Sequence, residues 1–215
     1  MHYLTTFISL CTEWLFPPRE KEKNVGNLTH KDILNLPKAK EINSSTHALF
    51  SYKDSLVRSL IWELKYHKNT HSLTLIIPLL ADTIISEYSD KNLFDNWTSC
   101  LLIPVPSNQS SITEKGFSQT KLICEQLKKL LPPDIVYCPH ALIKKVNTQK
   151  QSKLTSRTQR LNNLHNTQTA DATIVSGNYI IVIDDVTTTG ATLAESKRAL
   201  YTAGAKDIIA FTIAH

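Results

Sequence analysis

The chain has 215 residues, 41% hydrophobic and 20% charged, with five glycines and nine prolines. That is enough for one core of ordinary size with room for an appendage, and it excludes disordered, collagenous or low-complexity chains. A net charge of +5 favours anionic partners but does not choose between small phosphates and nucleic acid.

At the N-terminus Leu4, Phe7, Ile8, Cys11, Trp14 and Leu15 recur at helical spacing until Pro17-Pro18 stops them. The stretch lacks a basic leader, carries Glu13, and is too short to span a membrane, so it predicts an amphipathic helix on a cytoplasmic protein. Residues 19–45 are polar and lysine-rich with little periodicity, which predicts a linker or weakly ordered arm. The organisation expected is therefore an N-terminal helix and arm over 1–47 and one domain over 48–215. Phe50-Ser51-Tyr52 reads as a short strand, and Asp54 as the cap of a helix with the stripe Leu56, Leu60, Ile61 and Leu64. Leu73 to Tyr88 reads as a second helix, entered or bent at Pro78. Cys100 to Pro104 reads as a buried strand, Lys121 to Leu131 as an amphipathic helix, and 135–143, 173–175 and 179–185 as strands. Ala191 to Ala203 has Leu193, Ala194, Lys197, Leu200 and Tyr201 at helical spacing, with Gly204 as its C-terminal stop. Asp207 to Ile213 forms a last strand. Strands alternating with helices predict an α/β domain whose central, mostly parallel sheet gathers ligands at the carboxyl ends of its strands.

Three segments at such positions carry chemistry. Ile180 to Ile183, four β-branched residues, deliver Asp184-Asp185 into the turn Val186-Thr187-Thr188-Thr189-Gly190 and then a helix opening with Ala191 and Thr192. A helix N-terminus presents unpaired N–H groups to an anion, glycine permits close approach, and threonine hydroxyls add donors. The aspartates repel a phosphate and instead suit hydroxyls or a cation beside it, as a sugar phosphate provides. Paired aspartates also occur in metal-binding receiver domains, and a threonine-rich turn also serves as a plain helix cap. Secondly, Pro104-Val105-Pro106-Ser107 fixes the exit from a strand, and Lys115-Gly116 adds a cation and a flexible hinge farther on. Thirdly, Lys144 to Arg160 holds Lys144, Lys145, Lys150, Lys153, Arg157 and Arg160 in a region free of acids from Ile135 to Ala170. A solvated loop or a nucleic-acid strip are both open readings of that segment. It lacks interleaved aromatics but has hydroxyls and amides, including Thr148 and Gln151, which suit a loop closing on a compact polyanion. Cys11, Cys100, Cys124 and Cys138 form no C-x-x-C pair and offer no zinc site or disulfide framework.

The stretch Ile180 to Thr192 resembles the phosphoribosyl pyrophosphate (PRPP) motif of type I phosphoribosyltransferases. Phe50-x-Tyr52, Arg58-x-Leu60-Ile61-x-x-x-Lys65-Tyr66, Ile103-Pro104-Val105-Pro106, Lys115-Gly116-Phe117-Ser118-Gln119 and Thr148-x-x-Gln151-x-x-Leu154, followed by Arg160 and Asn162, are similar to the ComF family, phosphoribosyltransferase-like proteins linked to DNA uptake in natural competence. The chain departs from that family in lacking cysteine pairs after Phe16-Pro17-Pro18, and in having Lys115 and Ser118 where arginine and asparagine are usual. The resemblance implies a type I phosphoribosyltransferase-like fold with PRPP as substrate. Its 5′-phosphate would lie in the turn Thr188 to Thr192, with Thr187 carried over as a binding residue, and its ribose hydroxyls against Asp184 and Asp185. The pyrophosphate would lie near Val105, Pro106, Ser107, Lys115 and Gly116, bridged by Mg²⁺ that Asp184 and Asp185 help to hold. Lys65, Thr148 and Gln151 are carried over as binding residues, and Lys150, Lys153, Arg157 and Arg160 as stabilisers of the leaving group. The implied reaction is phosphoribosyl transfer to an unidentified acceptor in DNA uptake or nucleotide salvage. The alternative is a non-catalytic module that binds PRPP, a nucleotide or single-stranded DNA among competence proteins. Thr188 stands where 6-oxopurine salvage enzymes commonly have an aspartate, which argues against purine salvage.

Overall fold

The computed structural model describes residues 25–66, 70–107, 112–113, 116–145 and 166–215. The apolar N-terminal stretch at 4–15 lies outside them.

Five strands, β1 (Thr46–Phe50), β2 (Cys100–Pro104), β3 (Ile135–Tyr137), β6 (Tyr179–Val186) and β7 (Asp207–Ala214), form one sheet in the order β1-β7-β6-β2-β3. Every neighbouring pair is parallel. Parallel strands need covered crossovers and so are buried on both faces, which explains their unbroken apolar runs. In β6, Ile181 and Ile183 join one core cluster while Ile180 and Val182 join the other. The first face is covered by α2 (Ser55–Tyr66), α3 (Thr70–Asp95) and α4 (Gln119–Leu127), through side chains such as Leu60, Leu64, Ile76, Ile84 and Ile123. On the second face lie α5 (Ala172–Val175) and α6 (Ala191–Thr202), with Val175, Leu193, Ala199 and Leu200. A separate antiparallel pair, β4 (Leu142–Lys144) and β5 (Gln168–Ala170), also packs on that side.

The expected α/β architecture is therefore present, with a central sheet that is wholly parallel. Asp54 caps α2 as expected, its Oδ1 accepting from the N–H groups of Leu56 at 2.8 Å and Val57 at 3.1 Å. Four local expectations need correction. Residues 25–45 are not a loose arm. They hold α1 (His30–Leu34), fixed by a capping box between Thr29 and Asp32, and Val25, Ile33 and Leu36 are buried in the main core. Their irregular spacing gives no periodic signal, so only the tertiary contact reveals them. Residues 173–175 belong to helix α5 rather than a strand, because Asp171 accepts from the Thr173 N–H and starts a turn that β-branched composition disguises. The strand near Phe50 runs from Thr46 to Phe50, leaving Ser51 and Tyr52 outside it. Helix α3 extends beyond both expected ends and continues through Pro78. Among the described residues no helix is long and apolar enough to cross a membrane.

The strand order locates the ligand crevice. From β6 the chain proceeds to β7 on one side, whereas from β2 it proceeds to β3 on the other. The carboxyl ends of the adjacent strands β2 and β6 therefore flank the switch point where connections diverge, the usual binding position in open parallel sheets.

Candidate functional site

Two loops leave the sheet at that switch point. After β2, Val105 is tied back to β6 by its N–H, which donates to the Ile183 carbonyl at 2.9 Å. A chain of hydroxyls then fixes the turn onto α4: Ser107 Oγ lies 3.0 Å from Ser118 Oγ, which lies 3.2 Å from Thr120 Oγ1. Thr120 Oγ1 donates to the Val105 carbonyl at 2.7 Å, so the Pro-Val-Pro-Ser turn is built rigidly.

After β6 comes the acid doublet. Asp184 is 6% exposed, and its Oδ1 accepts the Asp185 N–H at 2.9 Å. The Asp185 Oδ1 accepts the Val186 N–H at 2.7 Å, and its Oδ2 meets Lys65 Nζ at 3.1 Å. Alternation along the strand points Asp184 towards the α5/α6 face and Asp185 towards the α2 face. Burial, followed by the charge of Asp185, pushes the Asp184 carboxyl well above the ordinary carboxylate range. Burial alone would lower the Lys65 ammonium, but pairing with Asp185 outweighs it and the net direction is upward. Lys144, at the end of β4, is pushed down by burial and partly restored by the field of Asp184. Each carboxylate thus has a lysine on its own side of the sheet.

The next residues split between joint and turn. Thr187 is buried, its N–H donates to the Ala214 carbonyl at 3.0 Å, and its own carbonyl accepts from His215 Nδ1 at 3.1 Å. Thr188 and Thr189 are exposed on the turn. Gly190 caps α6 at φ 74°, in the left-handed region where glycine carries no side-chain penalty, and Ala191 and Thr192 begin the helix. Gly190 supplies no side-chain cap to α6; the Ala191 N–H donates to Thr189 Oγ1 at 3.4 Å, and the other first-turn N–H groups suit an anion.

These segments enclose a cleft of about 260 Å³ lined by Lys65, Val105, Pro106, Ser107, Asp184, Asp185 and Thr192, among others. The structure therefore brings together residues from three distant regions that the sequence singled out. Gly116 is exposed with φ 76° and lies outside the cleft wall. Lys115, Thr148, Lys150, Gln151, Lys153, Arg157 and Arg160 lie outside the described residues. The wall also includes Phe117, Gln119, Thr120 and Val186, to which sequence reasoning gave no site role, and Lys144, which it placed with the basic residues of 144–160. Lys144 stood out only as one of many cations in a basic stretch, and Gln119 only as the last letter of a motif. The Gln119 Nε2 is buried with no hydrogen-bond partner among the described residues. The ends of the basic segment are anchored beside this wall. Lys145 N–H donates to the Thr167 carbonyl at 2.8 Å, and buried Glu195 of α6 accepts the Gln168 N–H at 3.0 Å.

The donor set fits magnesium only in company. Among the described residues no group of three or more His, Cys, Asp and Glu side chains is placed to hold a metal ion. Two carboxylates that already accept backbone N–H groups suit a hard cation that brings its remaining oxygens as water and phosphate.

Comparison with known proteins finds similarity to a phosphoribosyl transferase domain and to proteins of competence and DNA utilization. The family model described as Phosphoribosyl transferase domain matches residues 111–215. Competence protein ComFC of Bacillus subtilis (strain 168) is 29% identical over 169 residues, which are 77% of this chain and 62% of that protein. DNA utilization protein YhgH of Escherichia coli O157:H7 is 32% identical over 107 residues, 50% of this chain and 45% of that protein. The chain thus spans less than two thirds of the length of either relative. Among solved structures, Trypanosoma cruzi hypoxanthine phosphoribosyl transferase aligns with a TM-score of 0.41 at 15% identity, covering 65% of this chain and 63% of that one. A glutamine PRPP amidotransferase from B. subtilis aligns with a TM-score of 0.35 at 19% identity, covering 53% of this chain and 22% of that one. With a parallel sheet whose acid doublet and threonine turn follow β6, the chain has a type I phosphoribosyltransferase-like fold and is similar in sequence to the competence protein ComFC and the DNA utilization protein YhgH.

Proposed function

We propose that the cleft binds PRPP together with Mg²⁺ and that the protein transfers the phosphoribosyl group to an acceptor. The observation that carries this reading is the meeting of Lys65, the Val105–Ser107 turn and the Asp184–Thr192 segment around one cleft at the sheet's switch point. The α6 N-terminus, Gly190 and the hydroxyls of the exposed Thr188 and Thr189 suit a terminal phosphate. Asp184 and Asp185 suit the ribose hydroxyls, since carboxylates accept and hydroxyls donate. Ser107 and the two lysines suit the pyrophosphate, while Lys150, Lys153, Arg157 and Arg160 of the basic segment supply charge to it as it leaves. Magnesium, when bound, neutralises the phosphates and favours departure of the leaving group. As the bond at C1 of the ribose lengthens, positive charge grows on the sugar, and the nearby carboxylates stabilise it. Thr148, Gln151 and Lys115 complete the proposed binding set, the last as a point charge rather than a bidentate fork.

The names of the relatives, a competence protein and a DNA utilization protein, favour a second reading. In it the same cleft binds PRPP or a nucleotide without turnover, or the basic segment binds single-stranded DNA, and the protein acts through other proteins of DNA uptake in the cytoplasm. Pyrophosphate release, measured with PRPP and Mg²⁺ across candidate acceptors, separates the two. Release dependent on one acceptor supports the transferase. PRPP binding without release for any acceptor supports the binding module. Oligonucleotide binding with a steep salt slope, in the absence of PRPP binding, overturns both uses of the cleft.

A further inference from the structure

Asp185 has two carboxylate oxygens, and both are engaged: Oδ1 by the Val186 N–H at 2.7 Å and Oδ2 by Lys65 Nζ at 3.1 Å. The backbone contact belongs to the chain's own next residue and cannot leave without deforming β6. The lysine contact comes from the last turn of α2, 120 residues earlier, on a flexible four-carbon stem. The oxygen facing Lys65 is therefore the position on Asp185 where a cation exchanges with a mobile partner. Asp184 beside it is 6% exposed and has one oxygen on the Asp185 N–H. Two adjacent carboxylates at a buried strand end demand a counter-charge. Lys65 supplies one positive charge to Asp185, with Lys144 on the Asp184 side, where a divalent cation brings two charges to the doublet at once.

We propose that Lys65 is a displaceable counter-ion: it holds Asp185 while the cleft is empty, blocks free divalent metal from the doublet, and turns to the ligand's phosphate oxygens when magnesium arrives on a polyphosphate. This rests on the reading of the cleft as a PRPP–magnesium site and adds an order to it. Bare metal displaces the ammonium from its ion pair into a partly solvated cleft, so an ion pair is lost. Metal carried on a polyphosphate brings the anionic oxygens that take the ammonium over, so the exchange conserves ion pairs. Lys65 thereby selects the metal–phosphate complex over either component alone, and it is a binding and positioning residue rather than a group that handles the reacting bond.

The test uses the full-length chain and Mn²⁺ alone, followed by electron paramagnetic resonance, with PRPP–Mg²⁺ affinity measured by calorimetry on the same samples. Lys65→Met keeps the stem and removes the charge. It is expected to bind Mn²⁺ about tenfold more tightly than the wild type and to bind PRPP–Mg²⁺ several-fold more weakly. Lys65→Arg restores the cation and should return Mn²⁺ affinity to the wild-type level. Lys65→Met combined with Asp185→Asn should lose the gain, which places the new metal at Asp185. Unchanged Mn²⁺ affinity in Lys65→Met, with melting temperature lowered, makes Lys65 a structural strap and overturns the inference while leaving PRPP binding intact. A gain that survives Asp185→Asn overturns it also. Failure of the wild type to bind PRPP–Mg²⁺ defeats the proposed function instead, and the Mn²⁺ comparison still decides the role of Lys65.

Discussion

Asp184 sits almost wholly out of water beside a second carboxylate, and this arrangement opposes folding. A buried acid whose pKa is raised is protonated alike in both states at low pH. As pH rises above its ordinary value of 3.8 the unfolded chain loses the proton first, and folding stability falls until the native group also ionises. At neutral pH, with metal removed by a chelator, Asp184→Asn therefore relieves a penalty. Its melting temperature should rise by roughly 2–4 °C, the shift that about 1 kcal/mol produces in a chain of this length. The same variant should lose PRPP binding. A fall in melting temperature would mean that Asp184 is a structural acid rather than one held for a ligand. The doublet was legible in the sequence because two acids ending an apolar run have no packing use. Lys65 was legible only as part of a family motif, since nothing in its neighbours on α2 announces a partner in β6. Gln119 and Lys144 acquire their places in the wall from the way α4 and β4 pack, which no local pattern records.

At the scale of elements, α6 joins the site to the rest of the fold. Its first turn depends on Gly190, whose φ of 74° an L-residue adopts with strain. A Cβ there would meet no atom within 4 Å, so the cost of Gly190→Ala is conformational alone. The expected loss is about 1–2 kcal/mol, read by chemical denaturation. A loss above about 4 kcal/mol would show that the turn packs against something else. Farther along, Glu195 binds the Gln168 N–H at 3.0 Å and Arg198 Nε at 2.8 Å, which pins β5, and with it the end of the basic segment, to α6. Burial pushes the Glu195 carboxyl up, but Arg198 and the backbone donors hold it below the ordinary value of 4.5. A depressed acid contributes its stability in full above that value and loses it as pH falls through the folded pKa. The melting temperature of the wild type should therefore fall more steeply below pH 4.5 than that of Glu195→Gln, which starts lower and has less to lose. Parallel acid limbs would contradict this assignment. The helix itself was readable from its spacing and terminal glycine, whereas this anchor joins residues 27 positions apart and was not.

For the molecule as a whole, the sheet order β1-β7-β6-β2-β3 does the decisive positioning, because it sets the exits of β2 and β6 side by side. The buried strands were readable as unbroken apolar runs, and their alternation with helices implied parallel pairing. Their spatial order was not readable, since β2 and β6 are adjacent although three strands intervene in the chain. The docking of residues 25–45 was hidden for a related reason: three buried side chains suffice to fix a segment that has no periodicity. The consequence is a cleft whose walls come from segments far apart in the chain, with acids after β6, hydroxyls after β2 and lysines from α2 and β4. Titration calorimetry of PRPP with Mg²⁺ into the wild type and into Asp184→Asn/Asp185→Asn tests this account most directly. Saturable one-site binding to the wild type, weakened at least about a hundredfold in the double variant, is the predicted result. Equal affinity in both proteins, or no heat from the wild type at saturating magnesium, would contradict it.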